Sequence, residues 1–125
     1  MALIGFEKNN PREYAWERND CVVRASSIAT GIPYAEMHAA YNDAGRKNKR
    51  GTNVLLVDLV LPYNFKVKAG TRRSAVTLGR FLRVHSTGRW VMCNRNHAWA
   101  VIDGVVHDIG PVGPRTRVLN AWRVG

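Results

Sequence analysis

The run Ala98-Trp99-Ala100-Val101-Ile102-Asp103-Gly104-Val105-Val106-His107-Asp108-Ile109 decides how this chain folds. Two apolar segments flank Asp-Gly, the pair best suited to a two-residue type I′ turn, in which both central residues take positive φ. Setting Ile102 opposite Val105 fixes the register: Val101 faces Val106, Ala100 faces His107, Trp99 faces Asp108 and His97 faces Gly110. Strand side chains alternate in direction, so His97, Trp99, Val106 and Asp108 share one face. His97 and Asp108 then become diagonal neighbours, with Cα atoms about 7 to 8 Å apart. An imidazole and a carboxylate can span that gap, whereas His107 points to the opposite face.

Outward from the hairpin, residues 89–94 and 118–124 carry the same two-residue period, and residues 65–68 read as a short strand. Upstream the period becomes helical. Asp20 is placed to cap a helix in which Val22, Ala25, Ile28 and Ala29 recur until Thr30-Gly31 stops it, so Cys21 falls in the first turn. Pro33 suits the first position of a second helix carrying Tyr34, Met37, His38 and Tyr41. Asn53 is placed to cap a third that runs to Leu61, although Val54-Leu55-Leu56-Val57 would also suit a buried strand, and Thr77 caps a fourth with Leu78, Phe81, Leu82 and His85 on one face, ended by Gly88. Helices first and antiparallel strands last is an α+β order, and 125 residues match one domain spanning residues 1–125.

A histidine oriented by a carboxylate is half of a nucleophilic site; the other half is a thiol or hydroxyl that it can deprotonate. Cys21 fits, because the positive end of a helix stabilises a thiolate and an adjacent imidazolium stabilises it further. Cys93 reads as a strand core residue. Cys93, His97, His107 and Asp108 form a nominal metal set, but without paired Cys-x-x-Cys or helix-borne His spacing, so the reading assigns no metal and no cofactor. Trp16, Trp90, Trp99 and Trp122 read as core or rim aromatics; Trp99 is placed to shield the His97–Asp108 pair from water.

Composition narrows the classes. With 46% hydrophobic and 22% charged residues and no apolar run of membrane length, the chain is expected to be globular and soluble. Two cysteines do not make a disulfide framework, and no secretory signal opens the sequence, so a cytoplasmic location is expected. The net charge of +10 favours acidic partners, whether nucleic acid, acidic protein surfaces or anionic lipid. The basic loop at residues 45–51 and the scattered Lys66, Lys68, Arg72, Arg73, Arg80, Arg83, Arg89 and Arg95 read as solvated surface.

Asn19-Asp20-Cys21-Val22-Val23-Arg24-Ala25, Thr30-Gly31, Gly88-Arg89-Trp90-Val91 and the His97–Asp108 hairpin together resemble the small papain-like cysteine peptidases of bacteriophage and bacterial genomes. The chain is also similar to bacteriocin-processing peptidases, whose nucleophile likewise follows an Asp. The resemblance implies a papain-like α+β fold, with N-terminal helices, one bearing the nucleophile, packed on a C-terminal antiparallel sheet. It aligns Cys21, His97 and Asp108 with nucleophile, base and third member. Papain's glutamine position is Ala15 here, so Asn19 is the candidate oxyanion donor, helped by the Cys21 N–H. The implied activity is hydrolysis of an amide in a peptide or protein substrate, acidic if the basic surface selects it, through a thioester. For a phage product the location would be the host cytoplasm. The competing reading is an inactive papain-like fold that binds nucleic acid or a host protein.

Overall fold

The computed structural model describes residues 4–70 and 76–125; Arg72 and Arg73, read above as surface cations, lie outside the described residues. The chain is α+β, with four helices and a mostly antiparallel six-stranded sheet among the described residues. In chain order the elements are β1 (Gly5–Lys8), α1 (Cys21–Thr30), α2 (Tyr34–Asp43), α3 (Val54–Val60), β2 (Phe65–Lys68), β3 (Val76–Thr77), α4 (Leu78–Val84), β4 (Arg89–Cys93), β5 (Ala98–Ile102), β6 (Val105–Asp108), β7 (Arg117–Val118) and β8 (Asn120–Arg123). The sheet order is β1-β6-β5-β4-β8-β2, and β3 pairs with β7 in a separate ribbon.

The hairpin has the expected register: Ile102 opposite Val105, Val101 opposite Val106 and Ala100 opposite His107. Asp103 and Gly104 have φ of 47° and 81°, the two left-handed residues that a type I′ turn demands. The ladder ends one step short of the expected Trp99–Asp108 pair. Beyond it Asp108 pairs with Lys8 of β1, and its carboxylate turns to Arg24 and His97.

Apolar alternation builds a core on each face of the sheet. On one face Val91, Cys93, Ala98, Ala100 and Trp122 pack against Val22, Val23, Ala25 and Ala29 of α1. On the other, Trp90, Met92, Trp99, Val101 and Val106 pack against Leu78 and Phe81 of α4 and Val118 of β7. Each buried Val or Leu contributes about 1.5–3 kcal/mol. Small residues at Ala98 and Ala100, both fully enclosed, let α1 lie close against β5. At its other end α1 stops at Gly31 (φ 77°), whose N–H bonds the Ser27 carbonyl, while the Arg89 guanidinium donates to the Ile28 and Ala29 carbonyls. Helix α1 is thereby tied to β4 at the end remote from Cys21.

Several expectations are corrected. Asp20 precedes α1, yet its side chain makes no cap bond; it turns inward to arginines instead. Pro33 sits just before α2, with extended ψ of 144°, rather than inside it. The strand expected over residues 118–124 breaks at Leu119, so that β7 and β8 join different sheets. Strand β1 was not expected, and it runs parallel to β6, making the sheet mixed. Its four residues are all exposed and show no apolar alternation, which removes the usual signal. Asn53 and Thr77 do cap α3 and α4, accepting from the Leu56 and Arg80 N–H groups.

The basic loop at residues 45–51 is not all surface. Arg46 is fully buried, and its Nη1 donates to Glu17 Oε2 at 3.1 Å. The Glu17 carboxylate also lies 2.7 Å from His38 Nε2 and accepts the Lys49 and Arg18 N–H groups at 2.6 and 3.0 Å. This hub joins the segment before Cys21 to α2 and the loop. Burial opposes its charge, but the Arg46 and His38 bonds, with the two backbone donors, hold the carboxyl down at about 2. A depressed carboxyl stabilises the fold above its unfolded value of 4.5 and stops doing so as pH falls towards 2. Glu17→Ala, which leaves Arg46 buried without its partner, is therefore expected to reduce unfolding free energy by about 3–5 kcal/mol at neutral pH. In urea titrations the gap from the parent protein should narrow as pH drops below 4.5; an unchanged midpoint at neutral pH contradicts the hub.

Candidate active site

Three of the residues singled out from sequence converge at the N-terminal end of α1. His97, just before β5, directs Nε2 to Asp108 Oδ2 at 2.5 Å. With Nε2 so engaged, Nδ1 is the ring nitrogen left free of Asp108, and His97 shares a groove with Cys21, whose thiolate it favours. The Ala98 N–H, on the same groove, also favours the thiolate. Cys21 is half-buried and is the first residue of α1. The first intrahelical bond of α1 runs from Arg24 N–H to the Asp20 carbonyl, so the N–H groups of Cys21, Val22 and Val23 precede it at the positive end of the helix.

The electrostatics follow from these contacts. Burial alone pushes the Cys21 thiol up, but the His97 bond and charge, the Ala98 N–H and the charge of Arg24 outweigh it, leaving the thiol below its ordinary value. The bond to Asp108 and then the bond to Cys21 raise His97 to about 9 against the opposing effect of burial. Burial opposes the charge of Asp108 as well; His97, the Ile109 N–H and Arg24 still hold its carboxyl below the ordinary range. Each shift favours the charged form of its group, thiolate, imidazolium and carboxylate in turn.

Two positioning residues escaped the sequence reading. Arg24, one turn along α1, bridges Asp20 Oδ1 at 3.1 Å and Asp108 Oδ1 at 3.3 Å. The enclosed Asp20 carboxylate is also held by Arg12, at 2.9 and 2.6 Å, and by the Tyr34 hydroxyl at 2.7 Å. The same arginine therefore anchors the helix and orients the Asp108 carboxylate, and the Asp20–Arg24 spacing of four was its signal. Asn94 is the other. Its Oδ1 accepts the Asn96 and His97 N–H groups, both at 2.9 Å, and its own N–H bonds the His97 carbonyl, closing the turn that presents the imidazole.

The remaining expectations fare differently. The Asn19 amide donates to the Lys49 carbonyl at 3.0 Å, and Asn19 is not among the residues lining the groove beside the thiol. Trp99 lies beside His97 with ring centroids 6.1 Å apart, on the sheet face away from α1. His107, next to Asp108 in β6, does not line the groove and has Glu7 as its ionic partner at 3.9 Å. Among the described residues no group of three or more His, Cys, Asp or Glu side chains is arranged to hold a metal. Cys93 is a buried strand residue as expected, but it also lines the groove of about 340 Å³ shared by Cys21, Val22, Val57, His97 and Asn120. Burial raises its thiol to about 11, although hydrogen bonding to Asn120 partly offsets this.

Protein-family models, curated proteins and solved structures were all compared with the chain, and none matches it.

The two thiols should part in reactivity. With a pKa of about 11, Cys93 holds on the order of 10⁻⁴ of its population as thiolate at pH 7. Cys21, lowered by His97, holds far more. Timed iodoacetamide labelling at pH 7, read by peptide mass spectrometry, should modify Cys21 at least about tenfold faster than Cys93, and His97→Ala should erase most of that advantage. Equal rates contradict the assignment of a thiolate to Cys21.

Proposed function

We propose that the chain is a cysteine-dependent hydrolase of papain-like fold that cleaves an amide bond in a peptide or protein through a thioester. The observation that carries this reading is the His97 imidazole, hydrogen-bonded to Asp108 and sharing one groove with the Cys21 sulfur at a helix N-terminus. The earlier resemblance to small phage and bacterial papain-like peptidases points the same way, and a cytoplasmic location belongs to the same proposal.

In the proposed reaction the Cys21 thiolate attacks the carbonyl carbon, and the electron pair of the C=O bond moves to oxygen. The N–H groups of Cys21 and Val22, two free donors at the start of α1, stabilise that oxyanion, a role Asn19 no longer needs to fill. His97 gives its Nδ1 proton to the leaving amine as the tetrahedral species collapses to the thioester. Neutral His97 then takes a proton from water, and the hydroxide adds to the thioester. The proton taken from water restores the imidazolium, and collapse breaks the C–S bond, expels the thiolate beside it and releases the acid product. Asp108 keeps the ring oriented and stabilises its charge throughout.

An activated ester tests the reading without knowledge of the natural substrate. With p-nitrophenyl acetate, intact-mass analysis should show a burst of one acetyl group per chain on Cys21, absent from Cys21→Ala and His97→Ala. Asp108→Asn should slow acylation by roughly 10²–10⁴-fold. Acetylation confined to lysines, or indifferent to His97→Ala, contradicts the proposal. With an amide substrate, whose leaving amine needs the His97 proton, the pH dependence has a fixed sign: acylation rises as the Cys21 thiol ionises and falls as His97 loses its proton around pH 9. A rate that climbs steadily through pH 9 and beyond would mean that an isolated thiol is reacting.

The alternative, a catalytically silent accessory that binds nucleic acid, draws on the +10 charge. It requires affinity for nucleic acid to collapse between about 50 and 200 mM salt.

A further inference from the structure

A second concavity, of about 470 Å³, lies at the other end of the β5–β6 hairpin, where Asp103 and Gly104 of the turn form part of its wall. His97 precedes β5 and Asp108 ends β6, so this groove is a strand length, roughly 15 Å, from the thiol site. Its floor is aliphatic, from Ile4, Leu82 and Pro114, and its rim carries three exposed guanidinium groups, Arg80, Arg83 and Arg115.

Those cations are unusual in their surroundings. None of the three forms an ion pair among the described residues. Arg80 and Arg83 are three apart on α4, a spacing that sets like charges side by side, and Arg115 adds a third to the same groove. Asp103 is the sole acidic residue in the wall, and its Oδ1 already accepts the Gly88 N–H at 2.9 Å. The wall itself is firmly built. The N–H groups of Leu78 and Gly79 bond the Thr116 and Pro114 carbonyls at 2.7 and 2.9 Å, and a Cβ on Gly79 would stand 3.3 Å from the Pro114 oxygen. The loop bearing Arg115 is thus held against the start of α4.

We propose that this groove binds an acidic peptide segment whose aliphatic side chains enter the floor while its carboxylates meet Arg80, Arg83 and Arg115. Bidentate guanidinium–carboxylate pairing suits the rim. Single-stranded nucleic acid, the other polyanion, gains much of its binding from bases stacked on aromatic rings. The groove lining has no aromatic residue, and its aliphatic floor has no use for a phosphodiester chain. The proposal is independent of the hydrolase reading, because it uses none of the residues near Cys21.

Fluorescence anisotropy with a labelled peptide of repeating Glu-Leu-Asp provides the test at moderate salt, using the full chain. Binding in the micromolar range is expected, weakened about tenfold or more by Arg80→Glu with Arg83→Glu, and by Arg80→Gln with Arg83→Gln to a smaller but clear extent. Lys47→Glu with Lys49→Glu removes the same charge from another exposed region and should change affinity by no more than about twofold. Replacing every Leu of the peptide by Ser, at equal charge, should also weaken binding several-fold. Equal losses from the two Glu doubles, no loss from the Ser peptide, or an oligonucleotide of equal charge bound as tightly through Arg80 and Arg83 would each overturn the proposal. Circular dichroism of every variant guards against unfolding; should the Glu double unfold, the Gln double decides.

Discussion

One imidazole holds a carboxylate through one nitrogen and shares a groove with a thiol, and that placement governs how helix and sheet meet. His97 stands where β5 begins, beside the end of β6 that holds Asp108 and beneath the helix tip that holds Cys21. Sliding α1 by a single turn, about 5.4 Å, would carry the sulfur out of range. The close packing of α1 on Ala98 and Ala100, and the Arg89 bonds to its far end, are therefore conditions for the proposed chemistry as much as for stability. The Ala98 N–H, which contacts the sulfur, belongs to the same strand that seats the helix.

A buried ionic series backs this arrangement. Arg12, Asp20, Arg24 and Asp108 alternate in charge from the loop before α1 to the end of β6. Buried ion pairs are a weak source of net stability, because desolvation consumes most of the Coulombic gain. Their geometry is specific, however: with Arg24 on one Asp108 oxygen and His97 on the other, the carboxylate has little freedom to rotate. Asp20 illustrates the same preference. A cap bond at the helix start was locally available, yet Arg12, Arg24 and Tyr34 compete for its carboxylate and win, leaving the start of α1 at the groove.

What could be read in the sequence was what local chemistry controls. Asp103-Gly104 fixes the hairpin register through positive φ at both positions, and from the register alone His97 and Asp108 come within reach of each other. The helix around Cys21 was legible from its apolar spacing and the Gly31 stop. Features that depend on distant segments were not. Gly5–Lys8 has no periodicity, because an exposed parallel edge strand needs no apolar face. Arg46 looked like one more surface cation until Glu17 claimed it, and Asn19 looked like an oxyanion donor until Lys49 took its amide. Cys93 was legible as a core residue; its place in the groove with Cys21 depends on how α1 lies across the sheet.

The central claim is that His97 carries a proton because it lies between two anions. Nitrogen NMR of the imidazole across a pH titration measures this directly. The account predicts that His97 stays protonated up to about pH 9 in the native protein and titrates at lower pH once Cys21→Ala removes the thiolate. An imidazole that titrates near 6.5 in the native protein and ignores Cys21→Ala would contradict it.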